Sequence, residues 1–414
     1  MASSPFALRL ASESAAVWSL EQIAREGARL ALEKALEDEV AQYLQQHRTA
    51  LDEQGHRLVV RNGHKPPRKI ASGLGPIEIE QPRVDDRRVD ETGVRFRFTS
   101  KILPPYLRKT KVIEELVPWL YLKGISSNDM SSALIHLGFD GAGLSPASVG
   151  RMKELWVSEY EYWCGRDLSG KRYAYIWVDG LHFNVRLSDE RPCVLVIMGA
   201  SEEGRKELIA IYDGLRESEQ SWLDLLRDLK ARGLTHPPKL AVADGALGFW
   251  AALNKEFPST AQQRCWVHKM ANVLNKLPKS LQPTARNHLH HIWLGATREE
   301  ALQEMEKFVT IYQAKHPGAV KCLLKDKDHL LAFYDFPAEH WSHLRTTNAI
   351  ESTFATVQLR SYRTKGPGSR EAGLAMVFKL AQQAEKRWRR INGPGVLADL
   401  VAGAKFIDGV KQAA

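Results

Sequence analysis

Ser19 is followed three residues later by Gln22, a capping-box pairing, and apolar residues then recur at Leu20, Ile23, Leu30, Leu36, Val40 and Leu44. This spacing predicts a long amphipathic helix to about His47. From Leu58 to Val94 the texture changes, because Asn62-Gly63, Pro66-Pro67, Gly73 and Gly75 cut the chain into short pieces. Within that stretch Pro76 to Val84 alternates at period two, which predicts one strand or a small hairpin. Helical spacing returns at Lys111. Val112, Leu116, Trp119, Leu120 and Leu122 give a helix ended by Gly124, and Ser126 with Asp129 opens a second through Ile135, ended by Gly138. Ser145-Pro146 starts a third, to about Trp156, since a Ser N-cap followed by Pro suits a helix start.

The middle of the chain is strand-rich. Tyr173–Val178, Leu181–Leu187, Cys193–Ala200 and Glu207–Tyr212 are four strand candidates. A helix from Ser221 to Arg232, the buried-type strand Leu240–Ala243, a helix to about Phe257 and a short strand around Cys265 follow. Antiparallel strands succeeded by alternating α and β predict a mixed sheet with helices on its faces. No convincing strand occurs between 269 and 345, where Arg298 to Tyr312 carries Leu302, Met305, Phe308, Val309 and Tyr312 on one stripe. That stretch reads as an all-helical insertion into the mixed-sheet domain. A helix then runs from Asn348 through Leu359, and a basic helix follows the Gly366-Pro367-Gly368 loop to about Arg390.

The expected organisation is therefore α/β. Residues 1–105 form an N-terminal helix with a small strand region, and 106–165 a helix-turn-helix module. Residues 166–268 are the first part of the mixed-sheet domain, 269–345 the helical insertion, 346–392 its second part with the basic helix, and 393–414 a tail.

Composition changes this picture little, and charge changes it more. With 44% apolar and 26% charged residues the chain is ordinary globular protein. Its longest uncharged apolar run, Cys193 to Ala200, is far short of a membrane span, and the N-terminus has no secretory pattern. Four scattered cysteines suit a reducing cytoplasm rather than a disulfide framework. Residues 1–100 balance 15 basic against 15 acidic side chains, so the net +9 lies elsewhere. Residues 355–390 hold nine basic and two acidic groups, a net +7 that marks a polyanion-binding segment. Arg360, Arg363, Lys365, Lys386, Arg387, Arg389 and Arg390 are its candidate DNA contacts. In the helix-turn-helix, the last helix would present Ser148, Arg151 and Lys153 to DNA.

Three acids stand where a buried run gives way to polar chain. Asp179 ends Tyr173–Val178, Asp244 ends Leu240–Ala243, and Glu351 opens the helix after the insertion. Carboxylates gathered at a sheet end can hold two Mg²⁺ ions (Mn²⁺ substituting), which prefer hard oxygen ligands and act on phosphodiesters. Each acid also has a plain structural reading. Asp179-Gly180 suits a type I′ hairpin, Asp244-Gly245 a helix cap, and Asn348 with Glu351 a capping box. Cys265 and His268 have the spacing of half a zinc site, with His288, His290 or His291 as further ligands but no regular second half.

The motifs YIWVDG (175–180), VADG (242–245), CWVHKMAN (265–272) and TTNAIES (346–352), in that order, resemble the Mutator-type transposases of bacterial insertion sequences. ESEQSW (217–222), the 122–126 and 144–149 segments and Arg232-Gly233-Leu234 add to the resemblance, which spans roughly 60–390. It implies a ribonuclease H-like catalytic domain with Asp179, Asp244 and Glu351 as a DDE triad. The 65- and 107-residue spacings between these acids fit a helical insertion before the third. Cys265 and His268 are then a family signature near the active site. Many relatives carry a basic residue seven positions after the glutamate, where this chain has Gln358. The resemblance further implies cleavage and strand transfer at terminal inverted repeats and copy-out-paste-in transposition through a circle. It also implies action as a homodimer on repeat and target DNA, nucleoid-associated in a bacterial cytoplasm.

Two further expectations follow. Trp341, ten residues before Glu351, and Trp293 are candidates to stack on an unpaired base at the element end, against the plainer reading that both are helix-core anchors. The alternative function, from another class, is a non-catalytic helix-turn-helix regulator in which the acids are only turn and cap residues.

Overall fold

In the computed structural model, which describes residues 18–126, 129–136, 146–182, 193–214, 218–245, 247–363 and 369–413, the first element is α1 (Leu20–Gln46). Both capping-box bonds form. Gln22 N donates to Ser19 Oγ at 3.3 Å and Ser19 N donates to Gln22 Oε1 at 2.7 Å, satisfying two helix-start groups. Leu36 is buried against Ile70, Ile77, Ile79 and Leu103.

Those isoleucines sit on short strands, and here the expected single strand or hairpin at 76–84 is corrected. Four strands, β1 (Val59–His64), β2 (Arg68–Ser72), β3 (Gly75–Ile79) and β4 (Pro82–Asp86), form two antiparallel pairs. β2 pairs with β3, and β1 pairs with β4 around them. Gly75, at φ +97°, supplies the left-handed residue of the tight β2–β3 connection. Alternation along the chain could not reveal that the segment after Ile79 turns to a different partner.

The three expected helices are α2 (Lys111–Leu122), α3 (Met130–His136) and α4 (Pro146–Cys164). Asp129 N donates to Ser126 Oγ, and that hydroxyl donates to Asp129 Oδ2, ahead of α3. Ile113, Val117 and Leu120 of α2, at helical spacing, close a small core with Met130, Leu134 and Val149. α4 runs two turns beyond the expected end, and the chain divides within it, into units 1–152 and 153–414. The side chain of Ser148 lies outside the described residues. Arg151 is exposed and Lys153 half-buried.

The second unit is built on a five-stranded sheet of order β7-β6-β5-β8-β9. Its members are β5 (Tyr173–His182), β6 (Cys193–Ser201), β7 (Lys206–Gly214), β8 (Leu240–Ala243) and β9 (Ala261–Arg264). β6 lies antiparallel between β5 and β7, whereas β8 lies parallel to β5 and β9 parallel to β8. Parallel neighbours need a crossover, and α5 (Glu219–Ala231) and α6 (Leu247–Glu256) supply the two. Both sheet faces are covered, so β6 and β8 are buried along their whole length. On one face Ile176 and Val178 pack with Trp222, Leu226 and Phe249. On the other, Tyr175 Oη lies 2.6 Å from His340 Nδ1, and Trp177 Nε1 donates to His343 O at 3.0 Å.

After β9 the chain is helical up to the helix that carries Glu351, through α7 (Trp266–Leu274), α8 (Gln282–Leu294), α9 (Arg298–Tyr312), α10 (Pro317–Leu324), α11 (Lys327–Leu330) and α12 (Trp341–Leu344). α13 (Asn348–Arg363) and α14 (Arg370–Glu385) return to the sheet. Two expectations change at this end. α14 stops at Glu385, so Lys386, Arg387, Arg389 and Arg390 stand in the turn and extended segment beyond it, all four exposed. The expected tail is folded: α15 (Gly395–Val401) and the hairpin β10 (Phe406–Ile407) with β11 (Val410–Lys411) bury Leu397, Leu400 and Phe406. The side chains of Arg360 and Arg363, and all of Lys365, lie outside the described residues. No helix among the described residues is long and apolar enough to cross a membrane.

Candidate active site

Parallel pairing of β5 with β8 matches Trp177 with Val242. Two residues further along each strand come Asp179 and Asp244, so the register carries both carboxylates to the same end of the sheet. Asp179 is not a turn residue. β5 runs straight through Asp179-Gly180 to His182, with Asp179 opposite Val196 and Gly180 opposite Leu195. This overturns the expectation of separate strands 173–178 and 181–187, whose later residues lie outside the described ones. An Asp-Gly pair is a hairpin signal only when the flanking segments find each other, and here both pair with β6.

β9 extends the same end. Arg264 pairs with Ala243, and Cys265 N donates to Ala243 O at 2.8 Å, placing the thiol beside the Asp244 level. Trp266 N donates to Arg345 O at 2.9 Å, which brings in the segment that leads to Glu351. Thr347 joins the parts. Its amide and hydroxyl both donate to Cys265 Sγ, at 3.4 and 3.2 Å, and its Oγ1 also contacts Glu351 Oε1. Asn348 N donates to Thr346 Oγ1 rather than to Glu351, so the glutamate is not spent on a capping box. Thr347 is a site residue that spacing did not reveal, although it lies inside the TTNAIES motif.

Cys265 thereby acts as a buried bracket between β9 and the third acid. Burial alone would raise its thiol, but His268 and Thr347 beside it outweigh that and lower it. Cys265, His268 and Glu351 place ligand atoms within 4.8 Å of one another, and His288, His290 and His291 do not join this group. His268 Nδ1 stands 3.7 Å from Glu351 Oε1. The Cys265 thiol, with Glu351 and Asp244, pushes His268 up to about 9 although burial opposes it, so the ring is an imidazolium at neutral pH.

Asp179 shows the opposite effect. Burial, then Asp244, and further Glu351, push its carboxyl up to about 7, against the pull of the Gly180 N–H that donates to Oδ1 at 2.9 Å. Burial is the larger cause, and the added push from Asp244 and Glu351 shows negative charge gathered around this carboxyl. Such a set of hard oxygen donors fits a divalent cation.

The two tryptophans part company. Of the two readings of Trp341, stacking residue or helix-core anchor, the structure shows the packed one. Only 9% exposed, its indole meets Phe333 and Tyr334 edge-on at 5.4 and 4.9 Å, and Nε1 donates to Phe336 O at 2.8 Å. Arg345 lies 5.3 Å from the ring centre. An indole bonded and enclosed in this way is a core anchor. Trp341→Ala will accordingly lower stability by about 3–5 kcal/mol, or roughly 10 °C in melting temperature, read by thermal denaturation. An unchanged melting temperature would restore the stacking role. Trp293 is half-buried between His290 and Trp266, at 5.1 and 6.2 Å.

The chain whose ordered motifs converge on this sheet end is a transposase by its family match. Residues 4–391 match the family described as "Transposase, Mutator family", and the chain belongs to it. Members are DDE-type enzymes that carry out phosphoryl transfer on DNA. The chain is 52% identical over 297 residues to the transposase for insertion sequence element IS6120 of Mycolicibacterium smegmatis, spanning 72% of this chain and 92% of that one. It is 54% identical over 289 residues to the transposase for IST2 of Acidithiobacillus ferrooxidans, spanning 68% and 95%. The transposase for IS256 in transposon Tn4001 of Staphylococcus aureus is 26% identical over 309 residues, spanning 74% and 76%.

Proposed function

We propose that Asp179, Asp244 and Glu351 are the catalytic triad of a ribonuclease H-like domain that cuts and rejoins DNA at the terminal inverted repeats of its own insertion element. The observation that carries this reading is the parallel register of β5 with β8, which brings Asp179 and Asp244 to one sheet end, where burial first and then Asp244 and Glu351 push the Asp179 carboxyl up. Three antiparallel strands continued by two parallel ones, with acids on β5 and just after β8, support the fold assignment.

The three carboxylates would hold divalent metal, expected as two Mg²⁺ with Mn²⁺ as substitute. Bound there, the metal supplies activation of an attacking oxygen and stabilisation of a leaving one. The chain's own part is positioning. The Gly180 amide fixes Asp179, the Thr347 hydroxyl fixes Glu351, and the imidazolium of His268 offsets the negative charge of the cluster. The helix trio α2–α4 reads the element end, with Ser148, Arg151 and Lys153 toward DNA, and Arg360, Arg363 and Lys365 add backbone contacts. The route is copy-out-paste-in through a circle, and the active species is a homodimer on repeat and target DNA in the bacterial cytoplasm.

Labelled inverted-repeat DNA, incubated with the protein in Mg²⁺ and in EDTA, tests this. Nicking at the element end is expected in Mg²⁺ alone. A protein that shifts the DNA and nicks it in neither condition is a regulator. The exposed cluster beyond α14 gives a second measurement. Neutralising Lys386, Arg387, Arg389 and Arg390 together should weaken binding to all DNA alike, and lower the slope of log K against log salt by about 3–4. An unchanged slope would remove these residues from the interface.

A further inference from the structure

Beside the triad, the second unit contains a cavity of about 620 Å³ that none of the roles above uses. It begins at Gly245, the residue after Asp244, and runs between the edge strand β9, helix α7 and the α10–α11 region of the insertion. Its walls carry Arg264, Lys269, Lys276 and Lys325 against one carboxylate, Asp326.

Two of the cations are part of the framework. Lys269 is 2% exposed and its Nζ donates to Asp326 at 2.6 Å, while Arg264 Nε lies 3.5 Å from the same carboxylate. The Arg264 guanidinium covers Gly245 so closely that a Cβ there would fall 0.6 Å from Nη1. Gly245 also has φ +98°, so the turn that holds Asp244 accepts no side chain. The other two cations are free. Lys276 and Lys325 are exposed and have no ion-pair partner among the described residues.

The remaining wall has the chemistry of a nucleobase. α7 buries Trp266, Met270 and Val273 on one face. Asn272 in its last turn, and Asn275 and Lys276 in the turn just beyond it, line the cavity. Carboxamides pair with base edges in two directions, and lysines take phosphates. Trp250, half-buried against Phe249, adds an aromatic surface. A duplex cannot enter a cavity of this size, and one unpaired nucleotide can.

We propose that this cavity takes an unpaired nucleotide of the DNA strand adjoining the scissile phosphate, with Lys276 and Lys325 on its flanking phosphates and Asn272 and Asn275 on its base. This rests on the reading that the neighbouring acids act on DNA. It adds a single-strand site beside them, which any duplex presented to the acids must locally open to fill.

The test uses the full chain in EDTA, where binding is read without cleavage. Inverted-repeat duplexes are compared as blunt ends and with a short single-stranded extension on either strand, by fluorescence anisotropy. The extension should tighten wild-type binding about tenfold, the gain expected of one stacked base with its phosphates. Lys276→Gln with Lys325→Gln should remove that gain and leave blunt-duplex binding unchanged, which also shows that the variant is folded. Absence of a gain in the wild type, or its survival in the variant, would overturn the proposal. So would equal weakening on both DNAs, since the lysines would then be general backbone contacts. A failure of the triad would appear only in the Mg²⁺ cleavage assay, so the two readings fail separately.

Discussion

Asp179→Asn, Asp244→Asn and Glu351→Gln will each abolish DNA cleavage, by about a thousandfold or more, while end binding stays close to wild type. Each substitution keeps the shape of the side chain and removes one anionic oxygen ligand. The loss follows from taking about 4 kcal/mol of metal-borne charge stabilisation out of the transition state. Binding is spared because the three substitutions alter none of the residues proposed to contact DNA. Strand β5 stays paired with β6 on both sides of Asp179, so the fold has no reason to fail. Cleavage by gel, binding by anisotropy and melting temperature on the same preparations separate these outcomes. Near-normal cleavage in any one variant returns that acid to a structural role.

Asp179→Asn will also make the metal-free protein more stable at pH 8, by about 2–4 kcal/mol, seen as a rise of about 5 °C or more in melting temperature. The ordinary value of the group is 3.8, and in the folded protein it is pushed up to about 7. Between those values the unfolded chain has released its proton and the folded chain still holds it. Stability therefore falls as pH rises through the window, and the whole cost is present above pH 7. Asparagine carries no charge, so the variant escapes that cost, and the two proteins should converge near pH 4. Mg²⁺ should raise the melting temperature of the wild type at pH 8 and leave the variant much less affected. A pH-independent difference would show that carboxylate repulsion is not what the substitution relieves.

The pattern of loss and gain in these two experiments is that of a site built against stability. The acids repel one another in the free protein, and their imidazolium neighbour His268 offsets part of that charge. Substitution at the bracket should behave differently, because Cys265 and Thr347 hold Glu351 in place without meeting the DNA themselves.

Much of this protein was determined locally and could be read so. Ser19 with Gln22 and Ser126 with Asp129 mark helix starts because a side chain caps an amide three residues away. Leu240–Ala243 reads as a buried strand because nothing in it tolerates water on either face. The helical stripe of Arg298–Tyr312 and the three acids at the ends of apolar runs were legible for similar reasons.

What only the tertiary structure decided depends on partners distant in the chain. Asp179-Gly180 is a turn signal by itself, and pairing of β5 with β6 at nine residues makes it strand instead. The nesting of β2–β3 inside β1–β4 is a choice among partners that alternation does not encode. Trp341 has the composition of a stacking residue until Phe333, Tyr334 and Phe336 close around it. Cys265, Thr347 and Glu351 become one device only because β8, β9 and the chain before α13 meet at one sheet end. Caps and periodicity act over three or four residues, so sequence shows them. Register, enclosure and charge coupling act across the fold, where the chain's own order carries no record of distance.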